Sequence, residues 1–223
     1  MKPKSNYKTE KHKANKMDQC QTPYYALDPL LPYLDKRKYI WEPFAGVGHL
    51  ADALMEQGYR VHASELEGRY GITYSPRGHS IIGGSDFFLD LPREDVRDVI
   101  VSNPPYGVKY AVIERCYELG KPFALLLPVE TLGAQKAQKL FKKYGIQVIF
   151  MDKRVDFIMS EKGLSSSAQF PVSWFCWGLE LPSDMVFVEL VKPPKKELID
   201  YYAKTNKGHP VQSPVLPGLG DGS

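Results

Sequence analysis

The chain has 223 residues, 43% of them hydrophobic and 25% charged, which is the composition of a folded domain large enough to bury a core without staples. No apolar run approaches the roughly 20 residues that span a bilayer, and no signal-peptide apolar core opens the chain; Cys20, Cys116 and Cys176 are too widely spaced for a zinc site or a disulfide framework, as expected of a reducing cytoplasm. The net charge of +3 is unevenly held, because residues 1–16 contain six lysines and one glutamate while the remainder carries 23 basic and 25 acidic residues.

That distribution divides the chain into a basic tail (1–16), a central domain (17–191) and a Pro/Gly/Lys-rich C-terminal stretch (192–223). The basic tail reads either as a phosphate-binding arm or as a solubilising one. In the C-terminal stretch a short helix over 197–203 fits the pattern, and the last residues are of low complexity.

Along the central domain, strand-like apolar runs alternate with amphipathic segments. KYIWEPF reads as a strand, and HLADALMEQGY as a helix from the spacing of Leu50, Ala53, Leu54 and Gln57, with Gly58 as its stop. RVHASEL and SIIGGSDFF are the next strands. DVIVSNPP, helix YAVIERCYELG, strand FALLLPV, helix GAQKAQKLFKKYG and strand QVIFMDK follow. FPVSWFCWGLE and MVFVELV are late strands read as a hairpin-like pair, with Trp174 and Trp177 in their core. The expected fold is α/β: a Rossmann-like, mostly parallel sheet with helices on both faces and a late antiparallel pair. Such a sheet collects its ligand loops on one rim.

Four of those loops carry chemistry. In EPFAGVGHL, Gly46 and Gly48 sit where strand turns into helix, so a ligand can approach the backbone closely. Ala51 replaces the third glycine of the dinucleotide fingerprint, and no Gly-Lys-Ser/Thr follows, so neither that motif nor a phosphate loop is present. Glu65 ends the next strand, about twenty residues on, where a carboxylate accepts from ribose hydroxyls; Glu67 is the alternative. Asp86 and Phe87 close the third loop, an acceptor for an exocyclic amine and a ring to sandwich a purine. The fourth is Asn103-Pro104-Pro105-Tyr106: a pair of prolines ends the strand ladder and stiffens the turn that presents Asn103 and Tyr106.

Glycine turn, acid, Asp-Phe pair and Asn-Pro-Pro-Tyr follow one another in strand order. In this the sequence closely resembles the S-adenosylmethionine-dependent amino-methyltransferases, above all the DNA adenine-N6 methyltransferases, in the compact form of phage enzymes. The resemblance spans roughly residues 18–179. It implies a class I methyltransferase fold, S-adenosylmethionine as cofactor and no metal. It assigns Asn103, Pro104, Pro105 and Tyr106 to catalysis and Thr22, Pro23, Glu42, Phe44, Gly46, Gly48, Glu65, Asp86, Phe87 and Asn103 to the cofactor. The Thr22-Pro23 turn matches the part that touches the methionine carboxylate; Thr22 also reads as a plain helix N-cap. Tyr106 and Phe170 would hold the target base, which must leave its stack to be reached, although Phe170 reads equally as core.

The Asn103 side-chain oxygen and the Pro104 carbonyl are the expected acceptors for the hydrogens of the target amine. Specificity is less legible, since the span from Asn103 to Phe170 leaves no room for a large recognition region. Short loops such as Gly68–Ser80, with Arg69, Arg77 and His79, or a separate recognition subunit are the alternatives for DNA contact. The same motif serves RNA base methyltransferases and protein glutamine methyltransferases, and a non-catalytic Rossmann-like binding module would keep the fold without turnover.

Overall fold

The computed structural model describes residues 20–66, 71–159, 163–164 and 170–205. The basic tail, Glu67, Arg69 and the stretch beyond residue 205 lie outside the described residues. In chain order the strands are β1 (Cys20–Gln21), β2 (Tyr39–Glu42), β3 (Arg60–Glu65), β4 (Gly71–Tyr74), β5 (Ser80–Gly83), β6 (Val99–Ser102), β7 (Phe123–Pro128), β8 (Gln147–Met151), β9 (Ile158–Met159), β10 (Gly163–Leu164), β11 (Val172–Trp177) and β12 (Met185–Val188). The helices are α1 (His49–Glu56), α2 (Lys109–Leu119), α3 (Gln135–Tyr144) and α4 (Lys195–Thr205).

Among the described residues nine strands form one sheet in the order β12-β8-β11-β7-β6-β2-β3-β5-β4, and β1, β9 and β10 form a small second one. Strands β5, β3, β2, β6 and β7 are mutually parallel. The apolar runs of β6 and β7 are buried at every position, as parallel strands covered on both faces must be. Antiparallel pairing enters late, as expected, but not as a hairpin between the last two strands. β11 inserts between β7 and β8, antiparallel to both, and β12 adds parallel to β8 at the edge.

The two sheet faces are read from strand alternation. Val99 and Val101 of β6 point to a core shared with Leu54, Leu126, Ile149 and Trp174. Ile100 points to the opposite core, where Ile113 and Cys116 of α2 cover Trp41, Phe123 and Phe175. Trp174 is fully buried and Trp177 half-buried. The Leu198 and Tyr202 side chains, one helical turn apart on α4, are buried in the first core. Among the described residues no helix is long and apolar enough to cross a membrane.

The chain leaves β2 toward β3 and β5 on one side and returns to β6 and β7 on the other. The crevice between the carboxyl ends of β2 and β6 is therefore a topological switch point, where open α/β sheets take their ligands.

Candidate active site

Asn103 follows the last residue of β6 directly, at that crevice. Its side-chain Oδ1 is shielded from solvent and has no hydrogen-bond partner among the described residues. A buried acceptor left unpaired costs about 1–3 kcal/mol, so this oxygen is free to accept from a donor outside the chain. Pro104 is buried and Pro105 half-buried. Pro105, at φ −55° and ψ 123°, caps a 3-10 turn over Tyr106–Val108 that leads into α2. The proline-stiffened turn brings the half-buried Tyr106 ring against Phe170, with centroids 5.7 Å apart and planes at 63°. Residues 64 positions apart in sequence thus meet beside the Asn103 turn.

On the other wall, Glu42 ends β2 with 2% of its surface exposed, and its Oε2 likewise lacks a partner. Burial, reinforced by the nearby Glu65 and Asp52 charges, pushes the Glu42 carboxyl well above the ordinary carboxylate range, against a smaller opposing pull from the Ala51 amide. A group whose folded pKa is raised contributes stability that is fully present below its unfolded pKa and is lost as pH rises through the folded value. The ligand-free protein should therefore lose thermal stability on the alkaline side of that value. Glu42→Gln should be the more stable chain there, with the difference closing toward acid. Melting curves from pH 5 to 8.5 measure this, and parallel pH profiles for the two chains would refute it.

The glycine turn between β2 and α1 is left-handed at both glycines, with φ +55° at Gly46 and +94° at Gly48. The Gly46 amide donates to Glu65 Oε2 at 2.7 Å, and the Leu66 amide donates to Oε1 at 2.8 Å. Glu65 thus lies at the turn. Asp86 accepts from the Phe88 amide at 2.9 Å, while its own amide donates to Asp90.

Phe87 departs from expectation. It is 2% exposed and packs on Trp41 and Phe44 at 5.3 and 5.1 Å, so it is a core residue and cannot sandwich a purine. Phe44 is half-buried beside it.

Thr22 and Pro23 are buried immediately after β1. The turn that follows is a short 3-10 segment, Tyr24–Ala26, whose N-cap position is Pro23 with no side-chain cap, so the helix N-cap reading of Thr22 is not realised. Arg77 and His79 each find a partner within the chain while remaining partly exposed. Arg77 pairs with Glu56 and lies over the Tyr201 ring, and His79 Nδ1 sits 2.6 Å from Asp52 Oδ1. Both contacts link the β4–β5 hairpin to α1.

Three neighbours of the crevice lie outside the sequence motif. The Gln21 side chain rests on the glycine turn, 2.7 Å from where a Gly46 Cβ would lie. His49, the first residue of α1, is buried, which pushes its imidazole down to about 4. Its ring stacks on Tyr202 at 4.7 Å, and the Tyr202 hydroxyl accepts from the Tyr24 amide at 2.9 Å. α4 is thereby tied to the Thr22-Pro23 turn.

Fold and crevice together define a Rossmann-like, mostly parallel α/β architecture with a switch-point crevice, an arrangement found in methyltransferases of known structure. A methyltransferase subunit of a type I restriction-modification system from Streptococcus thermophilus shares this fold, with a TM-score of 0.53 at 14% identity over 85% of this chain and 53% of that one. The 23S rRNA methyltransferase ErmE superposes with a TM-score of 0.46 at 15% identity, covering 81% of this chain and 74% of that one. Two curated relatives from strains of Halobacterium salinarum, each named "Probable ribosomal RNA small subunit methyltransferase A", are 30% identical over 129 residues, 53% of this chain and 45% of theirs. The chain therefore spans less than half the length of the curated relatives it matches. No protein-family model matches it.

Proposed function

We propose that this chain transfers a methyl group from S-adenosylmethionine to the exocyclic N6 amine of an adenine in DNA, with the target base turned out of its stack. The observation that carries this reading is the buried, unpartnered Asn103 Oδ1, in a Pro-Pro turn beside the Tyr106–Phe170 pair. The cofactor fits the crevice by the same criterion. Unpartnered acceptors on Glu42 and Asn103 flank a turn whose two left-handed glycines leave the backbone open to close approach. Thr22, Pro23 and the Gly46–Gly48 turn would hold its methionine end, Glu65 its ribose hydroxyls and Asp86 its adenine amine.

When bound, the cofactor supplies an electrophilic methyl carbon on a sulfonium. The work of the chain is on the nucleophile. The lone pair of an aromatic amine is delocalised into its ring, and two acceptors aimed at the amine hydrogens favour pyramidal nitrogen. Asn103 Oδ1 and the Pro104 carbonyl are those acceptors. They also stabilise the positive charge that develops on nitrogen, with no reorganisation at the moment of reaction. Holding the amine in line with the methyl is an orientation effect worth several kcal/mol. The methylated ammonium then loses its proton to water, so no strong base is needed. Tyr106 and Phe170 clamp the base by stacking, and sequence choice falls to short loops or a partner subunit.

RNA is the second reading, favoured by the ribosomal-RNA name of the two curated relatives. Expressing the chain in a methylation-deficient bacterium and mapping modified bases in DNA and RNA by long-read sequencing decides between them. N6-methyladenine at a short recurring DNA sequence is the expected result. Modification confined to RNA would install the second reading, and none in either would end both.

A further inference from the structure

The two helices that leave the catalytic rim, α2 from the Asn-Pro-Pro-Tyr turn and α3 from the end of β7, share an unusual charge pattern. Neither has an acid in its first turn, where the helix dipole favours acids and disfavours cations. Each instead has a lysine there, Lys109 and Lys136. Lys109 Nζ donates to the Tyr106 carbonyl at 3.3 Å, which places a cation at the mouth of the base site.

α3 extends the pattern. Its sequence, QKAQKLFKKY, contains no acid, and its four lysines are exposed. None of the four is ion-paired among the described residues, and Lys143 lies over the Tyr144 ring. At about 100° per residue, Lys136, Lys139 and Lys143 fall within about 60° of one another, away from the side that buries Ala137 and packs Phe141 on Phe175. The stripe is about 10 Å long, the length of about three phosphates along one strand. The acids of adjoining elements are Glu114 and Glu118 on α2 and Glu130 before α3, and Arg115 holds Glu118 at 3.3 Å.

The stripe is also joined to the base site. The turn between β7 and α3 is fastened to the Phe170 segment by the Val129 amide donating to the Pro171 carbonyl at 3.0 Å, and Phe170 packs on Tyr106.

We propose that Lys109, Lys136, Lys139 and Lys143 form a track for the phosphodiester backbone that flanks the turned-out nucleotide. This rests on the nucleic-acid reading above. DNA and RNA offer the same phosphate chemistry, and the test separates them.

The full chain carrying Lys136→Gln, Lys139→Gln and Lys143→Gln is titrated against a labelled 20-base-pair DNA duplex and an RNA hairpin, across a salt series with S-adenosylhomocysteine present. For duplex DNA each lost phosphate contact should lower the slope of log K against log salt by about 0.9, so a decrease of about 2–3 is expected, somewhat less for RNA. Methyl transfer should show a raised KM for the polymer at unchanged kcat. Cofactor affinity by calorimetry should match the wild type, and the triple Lys→Arg chain should keep the wild-type slope. Loss of slope on only one polymer identifies the backbone the track reads. A wild-type chain that methylates nucleic acid, with an unchanged slope in the glutamine variant, overturns the track alone. A wild-type chain that neither binds nor methylates either polymer overturns the track and the nucleic-acid reading together.

Discussion

Asn103→Ala should abolish nearly all methyl transfer while leaving S-adenosylmethionine affinity within a few-fold of wild type. The side chain directly follows β6 with its oxygen buried and unpartnered, so the substitution removes an acceptor without breaking any hydrogen bond the ligand-free fold makes through that oxygen. Losing one preorganised polar partner at a reacting centre typically lowers the rate about 10²–10³-fold, or about 3–4 kcal/mol. The ligand-free protein should be no less stable, and even slightly more so, since an unsatisfied acceptor is gone. That combination separates a catalytic acceptor from a structural one, whose removal would lower the melting temperature. Asn103→Asp keeps an acceptor in place and should retain part of the activity. Single-turnover transfer at saturating cofactor, with melting curves on the same samples, checks all of this. Near-normal transfer by Asn103→Ala would remove the amino-methylation reading and leave the Pro-Pro turn as plain architecture.

The parts of this fold legible in the sequence are those whose signal is local. β6 and β7 are continuous apolar runs, and a run of that length buried on both faces reads the same in any context. The Asn-Pro-Pro-Tyr turn is legible because two prolines leave the backbone few choices. Strand pairing is not local, and this is where the hairpin expectation failed. A short turn joins β11 to β12, but nothing in it prevents β11 from slotting between β7 and β8, where it satisfies backbone on both edges.

The Phe87 reading failed for a related reason. Phe87 and Phe88 both pack against the core that holds Trp41, in a turn where Asp86 accepts from the Phe88 amide. A turn of this kind has no periodicity from which burial can be read. α4 was legible as a short helix over 197–203, but its surroundings of Pro, Gly and Lys masked that Leu198 and Tyr202, four residues apart, pack into the core. His49 could not be found from pattern at all. A lone histidine after a glycine turn reads as surface until its stacking partner, 153 residues later, is known.

Gly48→Ala should be the most destabilising single-methyl change in the glycine turn, and Gly46→Ala should be clearly milder, although both glycines are left-handed. The shared cost is conformational: a side chain at positive φ costs roughly 1–2 kcal/mol. The difference is what the new Cβ meets. At Gly46 it meets the far end of the Gln21 side chain, with Nε2 at 2.7 Å and Oε1 at 3.0 Å, and a flexible amide can swing away. At Gly48 it meets Ser75 Cβ at 2.6 Å and Ile81 Cδ1 at 2.8 Å. Neither can yield easily. The Ser75 hydroxyl donates to buried Asp52 and accepts from the His79 amide, and Ile81 is 1% exposed in the core beneath α1. Overpacking of this kind costs about 1–3 kcal/mol more, for a total of about 2–5 kcal/mol, a large share of the 5–15 kcal/mol that holds a domain together. At roughly 2–4 °C per kcal/mol for a chain of this size, Gly48→Ala should melt about 10 °C below wild type and Gly46→Ala only a few degrees below. Cofactor affinity should order differently. Gly46→Ala should weaken it even where the fold survives, because the added methyl occupies the side of the turn that the ligand approaches. Differential scanning calorimetry and cofactor titration on the two variants separate these effects. A Gly48→Ala chain that melts within about 2 °C of wild type would mean that the β4–β5 hairpin is not packed on this turn as described.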